Sequence, residues 1–317
     1  MVKQTVALFF PGQGSQYAGM GKFLLNENPT FLNNIDTILE YSLNKLMLDG
    51  PEEELKLTAN AQPAILSHSY GLFLKLKKVL DANDFGLACV LGHSVGEYSA
   101  LLAAGCLKFE NALTAVHMRG KFMQEASAPG IGKMYAIMRA PEEMIREACL
   151  QSSDSKFQVM PANFNEPSQI VISGHKEACE KAITYLEKNC QQKFRSIELN
   201  VSAPFHSGLM RSAALKLEKF FETIPFYSND ITYLANIDAA EYPPHTAPEI
   251  IKKNLIDQVA GSVLWSQSIK KLPSHIKCFE VGPGKVLTGL AKKINPDLQV
   301  YPLDSEDAFA KIGEFLL

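Results

Sequence analysis

Residues 86–100 read Gly86-Leu87-Ala88-Cys89-Val90-Leu91-Gly92-His93-Ser94-Val95-Gly96-Glu97-Tyr98-Ser99-Ala100. The first seven form a short apolar run bounded by glycines. Such a run predicts a strand buried on both faces, as in a parallel sheet. Residues 95–105 are mostly small and predict a helix. Between strand and helix stands Gly92-His93-Ser94-Val95-Gly96, a G-x-S-x-G. In that position the pattern reads as a nucleophile elbow, and a chance glycine–serine turn is the weaker reading. The reason is steric. The turn is so sharp that the serine takes a strained backbone conformation. Small residues two before and two after it let strand and helix approach. Ser94 then sits at a helix N-terminus, where backbone N–H groups can stabilise an oxyanion.

The pattern continues on both sides. Thr5–Phe10 is a second buried strand, and it feeds the loop Pro11-Gly12-Gln13-Gly14-Ser15-Gln16. Residues 31–80 are mostly helical, with Pro51 and three glutamates marking a helix start. Residues 109–126 predict a helix that 127–132 (SAPGIG) breaks. Next come strand-like 134–138, helical 141–151, strand-like 157–160 and 170–173, helical 175–189 and strand-like 194–199. That order, β-α-β-β-α-β, predicts a ferredoxin-like subdomain over 130–198. A larger unit, 1–129 and 199–317, surrounds it. The unit resumes with a helix at 207–223 and a strand at 231–234. Helices over 247–271 and a strand at 276–281 follow, and a strand at 298–302 and a terminal helix close the chain. Strands alternating with helices predict an α/β fold with a parallel sheet covered on both faces.

Composition narrows the function classes. The 317 residues allow about two units at roughly 150 residues each. Hydrophobic residues at 46% and charged residues at 21% exclude a disordered or collagen-like chain. A net charge of −3 argues against nucleic acid as a partner. The six cysteines form no CxxC pair, so zinc ribbons and thioredoxin-like motifs are not expected. Free thiols suit a reducing cytoplasm. Val6–Phe10 is too short for a signal-peptide core, and no run reaches the ~20 apolar residues of a membrane span. The sequon Asn200-Val201-Ser202 carries no meaning without a secretory signal.

A serine nucleophile needs a base. Of seven histidines, His93 adjoins Ser94 at a turn, where neighbouring side chains diverge. His68 and His117 fall within helices, where a satisfied or surface histidine is expected. His206, in the loop Ser202–Gly208 before a helix, is the favoured base. No acid between 94 and 206 stands out to orient it. Either the acid is hidden or a backbone carbonyl does the work. In the loop 11–16, a dinucleotide fingerprint would need a third glycine at 17, which is Tyr17. A second oxyanion N–H or a plain glycine turn are the readings left. Arg119 is either a solvated helix residue or a bidentate carboxylate clamp, and its sequence context does not choose.

Six segments together carry a resemblance: FPGQGSQ (10–16), GHSVGEYSA (92–100), RGKFMQEA (119–126), ANFNEPSQIVISG (162–174), VSAPFHS (201–207) and EVGPGKVLTGL (280–290). The chain resembles the malonyl-CoA:acyl carrier protein transacylases of type II fatty acid synthesis. It is more loosely similar to polyketide acyltransferase domains. The resemblance implies an α/β-hydrolase-like large subdomain with an inserted ferredoxin-like one. It implies malonyl transfer from coenzyme A to acyl carrier protein through Ser94, with His206 as base and no cofactor. By the same resemblance, the Gln13 and Val95 amides form the oxyanion hole and Arg119 pairs with the malonyl carboxylate. The Gln258 backbone carbonyl orients His206. Val95 and Phe205 match malonyl-selecting positions. Acyl carrier proteins are acidic, which suggests a basic docking patch among Lys75, Lys77, Lys78, Lys252, Lys253, Lys270, Lys271, Lys292 and Lys293. Nothing demands more than a monomer. A polyketide carrier, a serine hydrolase or thioesterase, and a silent carrier-binding module are the rival readings.

Overall fold

Alternation along the first strand sets the layers of the large sheet. Val6, Leu8 and Phe10 point into one core and Ala7 and Phe9 into another, all fully buried. The computed structural model describes residues 4–316, so residues 1–3 and 317 of the expected large unit lie outside it. Its strands are β1 (Gln4–Phe10), β2 (Phe85–Gly92), β3 (Gly132–Met138), β4 (Val159–Glu166) and β5 (Gln169–His175). They continue as β6 (Arg195–Glu198), β7 (Thr232–Leu234), β8 (Glu241–Tyr242), β9 (Lys277–Val281) and β10 (Gln299–Leu303).

The large sheet runs β10-β9-β1-β2-β7-β8. All its pairings are parallel except β7 with β8. The short antiparallel edge strand β8 was not foreseen, because two residues show no periodicity. Asp238 shapes its hairpin, its carboxylate accepting from the Ala240 N–H (2.8 Å) and the Tyr242 hydroxyl (2.7 Å). On one face of the sheet lies the long helix Thr58–Ala82. On the other, Trp265 meets Phe9 edge-on at 5.6 Å.

Pro63 lies inside that long helix and has no N–H to give the Ala59 carbonyl. The His117 ring takes the vacancy, its Nδ1 lying 3.0 Å from the Ala59 oxygen. Neighbouring helices are shorter than the pattern suggests. The helices expected over 247–271 are Pro248–Ala260 and Trp265–Lys270, with 261–264 between them. The 207–223 segment opens with a 3-10 turn, Gly208–Met210, before Arg211–Phe221, and the terminal helix is two short ones.

The second sheet, β4-β5-β3-β6, is antiparallel throughout and has ferredoxin-like order. Helices Glu142–Gln151 and Lys176–Asn189 close one face over Ile137, Ile170 and Ile172. Met134, Ala162 and Val171 on the other face join the large core. The expected strand at 157–160 begins instead at Val159 and runs on to Glu166. That extension ties the second sheet to the segment between helices Pro248–Ala260 and Trp265–Lys270. Phe164 N–H donates to the Val263 carbonyl (2.9 Å), and Val263 N–H donates to that of Ala162 (2.8 Å). Among the described residues no helix is long and apolar enough to cross a membrane.

Candidate active site

The elbow at the end of β2 is built by exclusion. A Cβ on Gly92 would lie 2.0 Å from the Gly96 carbonyl, and one on Gly96 would lie 2.0 Å from the Phe10 oxygen. Only glycine allows the helix Gly96–Ala103 to start this close to the sheet. Ser94 is left at φ +53°, a left-handed conformation costing ~1–2 kcal/mol. Asn236, just past β7, holds it there. Its side-chain oxygen accepts from Ser94 N–H (2.7 Å), and its amide donates to the Gly92 carbonyl (2.6 Å). Two hydrogen bonds at ~1 kcal/mol each offset the strain.

Ser94 Oγ lies 2.8 Å from His206 Nε2. His206 is itself at φ +55° in its loop, and its Nδ1 lies 2.9 Å from the Gln258 backbone oxygen. A carbonyl can only accept, so Nδ1 carries the proton and Nε2 is left to accept from the serine. No acid is needed to set that tautomer. Burial, followed by the nearby Arg119 charge, pushes the His206 pKa down to about 3, so the ring is neutral.

Arg119 is not on a solvated helix face: it is 1% exposed. Its Nη1 donates to Gln62 Oε1 (2.8 Å) and its Nη2 to Gln258 Oε1 (2.8 Å) and Ser94 Oγ (3.3 Å). These partners are all neutral, and Nε has none. Burial pushes the Arg119 pKa down, but guanidinium stays charged in proteins. A buried cation without an anion costs several kcal/mol, which an incoming carboxylate would relieve.

The loop 11–16 lies against the elbow. A Cβ on Gly12 would lie 2.5 Å from the His93 oxygen, so its glycine serves close approach. The Gln13 side chain donates to Thr58 Oγ1 (3.2 Å). Val95 is buried directly after Ser94. Among the described residues, neither the Gln13 nor the Val95 backbone amide has a hydrogen-bond partner. Gln13, Ser94, Arg119, Phe205 and His206 line a cavity of about 250 Å³, which Met134 and Asn165 close from the ferredoxin-like sheet.

Two other histidines have side-chain partners of their own, His93 within the cavity and His68 away from it. The rings of His93 and His68 lie 2.8 Å from Asn165 Oδ1 and 2.7 Å from Asp304 Oδ1. Of the lysines suggested for docking, Lys75, Lys77, Lys253 and Lys293 are paired with Glu27, Asp81, Asp257 and Glu166. The lysine at the cavity is Lys56, which sequence reasoning passed over. It also passed over Gln62, Glu97 and Asn236. Gln62 and Asn236 belong to none of the six segments. Glu97 lies inside one, but nothing local marks it as buried.

Residues 8–288 match the acyl transferase domain family. Over 299 residues the chain is 40% identical to the malonyl CoA-acyl carrier protein transacylase of Bacillus subtilis (strain 168), covering 93% of this chain and 92% of that one. It is 39% identical over 317 residues to the transacylase of that name from Haemophilus influenzae, covering 98% and 99%. An acyl carrier protein S-malonyltransferase structure from Vibrio cholerae aligns with a TM-score of 0.89 at 35% identity, covering 96% and 99%. A malonyl-transacylase solved in complex with its type II PKS acyl carrier protein also aligns at 0.89, with 34% identity, covering 98% and 99%.

Proposed function

The chain belongs to the acyl transferase family that includes these transacylases, and on that footing we propose how its cleft works. The protein transfers the malonyl group of malonyl-CoA to the phosphopantetheine thiol of acyl carrier protein, supplying fatty acid elongation. His206 Nε2 takes the Ser94 proton as Oγ attacks the thioester carbon. The Gln13 and Val95 amides hold the oxyanion. Collapse breaks the C–S bond, and the coenzyme A thiolate leaves with the proton from His206. In the second half the carrier thiol gives its proton to His206 and attacks malonyl-Ser94. Collapse returns the proton to Oγ and frees the serine. One thioester replaces another, so the exchange is near balance and the serine relay needs no cofactor.

The observation that carries the malonyl reading is Arg119, buried 3.3 Å from the nucleophile with hydrogen bonds only to neutral groups. An acetyl group would leave that charge unpaired, whereas a malonyl carboxylate would take it up. Residues 130–198 form the wall that keeps water from the acyl-serine, and the units 1–129 and 199–317 carry the chemistry. The site is assembled from one chain, so a monomer suffices. Free cysteines, five of them buried, support a reducing cytoplasmic setting.

The test is intact-protein mass spectrometry after brief mixing with malonyl-CoA, without carrier protein. A malonyl adduct on wild type that is absent from Ser94→Ala is expected. Release of coenzyme A with no adduct would instead mean a thioesterase.

A further inference from the structure

Glu97 takes no direct part in this chemistry, yet it lies fully buried three residues past the nucleophile. Its Oε2 accepts from Gln258 Nε2 (2.5 Å) and from Asn236 N–H (3.3 Å). Its Oε1 is buried with no partner. Both donors are hubs. Asn236 fixes the elbow. Gln258 holds His206 through its backbone oxygen and Arg119 through its side-chain oxygen, while its Nε2 also donates to the Ser94 carbonyl (3.0 Å). The orientation of the Gln258 amide therefore matters. Reversed, it would set an NH₂ against the guanidinium and an oxygen against the Ser94 carbonyl and Glu97. An acceptor at Glu97 disfavours that reversal.

We propose that Glu97 is a positioning residue held in its neutral, protonated form, orienting Gln258 while leaving Arg119 uncompensated for the substrate carboxylate. The inference deepens the malonyl-transfer reading and rests on it. An ionised Glu97 would be an internal anion close to Arg119 and would compete with malonyl for its charge. The titratable groups facing Glu97 are Arg119, Tyr233 of β7, Tyr242 of β8 and Asp238 of the hairpin between them, with Tyr98 beside it on its own helix. Arg119 favours ionisation and Asp238 opposes it. Burial outweighs both and raises the Glu97 pKa to about 8. Malonyl selectivity should therefore fall as pH rises through that value.

The test measures acylation kcat/KM for malonyl-CoA and acetyl-CoA in wild type, Glu97→Gln and Glu97→Ala, from about pH 6 to about pH 9. Malonyl uptake by the wild type is scored first. Its failure would count against the functional reading, not against Glu97. Glu97→Ala is expected to lose malonyl kcat/KM roughly 10- to 100-fold, and acetyl less. Glu97→Gln keeps a neutral acceptor of the same shape. It should restore malonyl acylation near pH 7 and abolish the alkaline loss of selectivity. An infrared band from a protonated carboxyl, present in wild type at pH 7 and absent from Glu97→Gln, gives a readout independent of activity. Superimposable pH profiles for wild type and Glu97→Gln would overturn the proposal, whatever the stability of Glu97→Ala. A Gln variant as impaired as the Ala variant, or no such band, would do the same.

Discussion

Replacing Arg119 with alanine should change the two acyl groups in opposite directions. Nη2 lies 3.3 Å from Ser94 Oγ, which lies 2.8 Å from His206 Nε2, so guanidinium and ring are within about 6 Å. At that separation and an effective dielectric of ~20, two unit charges repel by roughly 3 kcal/mol, about two pKa units. The His206 ring must become imidazolium during acylation, and with acetyl-CoA it does so beside an unpaired cation. Malonyl removes the repulsion by neutralising Arg119. In Arg119→Ala the repulsion is gone. If about half of it is felt in the transition state, acetyl acylation should rise roughly tenfold. Malonyl acylation should lose the buried charge pair, ~3–5 kcal/mol, or roughly 10²- to 10⁴-fold. Single-turnover acylation of Ser94, quenched and read by intact mass with each acyl-CoA, separates the two effects. Equal losses for malonyl and acetyl would refute both the clamp and its action on His206.

Other outcomes follow from the same geometry. His206→Ala should slow Ser94 acylation roughly 10²- to 10⁴-fold, and an unchanged rate would remove it as the base. Asn236→Ala frees the strained elbow. It should cost ~2 kcal/mol in urea unfolding and lower kcat more than it raises KM; unaltered kcat would mean that the elbow holds itself. Gly96→Ala meets the Phe10 oxygen at 2.0 Å and should lower Tm by several degrees, as calorimetry would show. Two of the buried titrating groups, His206 and Glu97, act oppositely on stability. The His206 pKa is depressed to about 3, so its share is intact above the unfolded value near 6.5 and falls as pH drops toward 3. The Glu97 pKa is raised to about 8, so its share is intact below about 4.5 and falls as pH rises toward 8. Each slope is at most about 1.4 kcal/mol per pH unit. Urea unfolding of Glu97→Gln should lack the loss between about pH 6.5 and 8, and a loss equal to wild type would assign it elsewhere.

Local pattern determined much of this protein. The glycine-bounded run 86–92 and the spacing of Gly92, Ser94 and Gly96 are local patterns, and a Cβ on Gly92 would meet Gly96 only four residues on, whereas the glycine at 96 answers to Phe10 of the neighbouring strand. The β-α-β-β-α-β order of the smaller sheet was legible for the same reason, because periodicity is a local property. Ser94 and His206 could be singled out by residue type and position. Their approach to 2.8 Å across 112 residues, however, was decided by the tertiary fold. So was the burial of Arg119, whose helix reads equally well as a solvated one. Its partners Gln62 and Gln258 lie 57 and 139 residues away. A backbone carbonyl in place of a catalytic acid leaves no trace in sequence, since every residue has one. Glu97 reads as an ordinary acid in a helix's first turn. Its full burial, with Asn236 and Gln258 brought to its carboxyl from 139 and 161 residues away, removes its water, and the loss of water changes what its carboxyl can do.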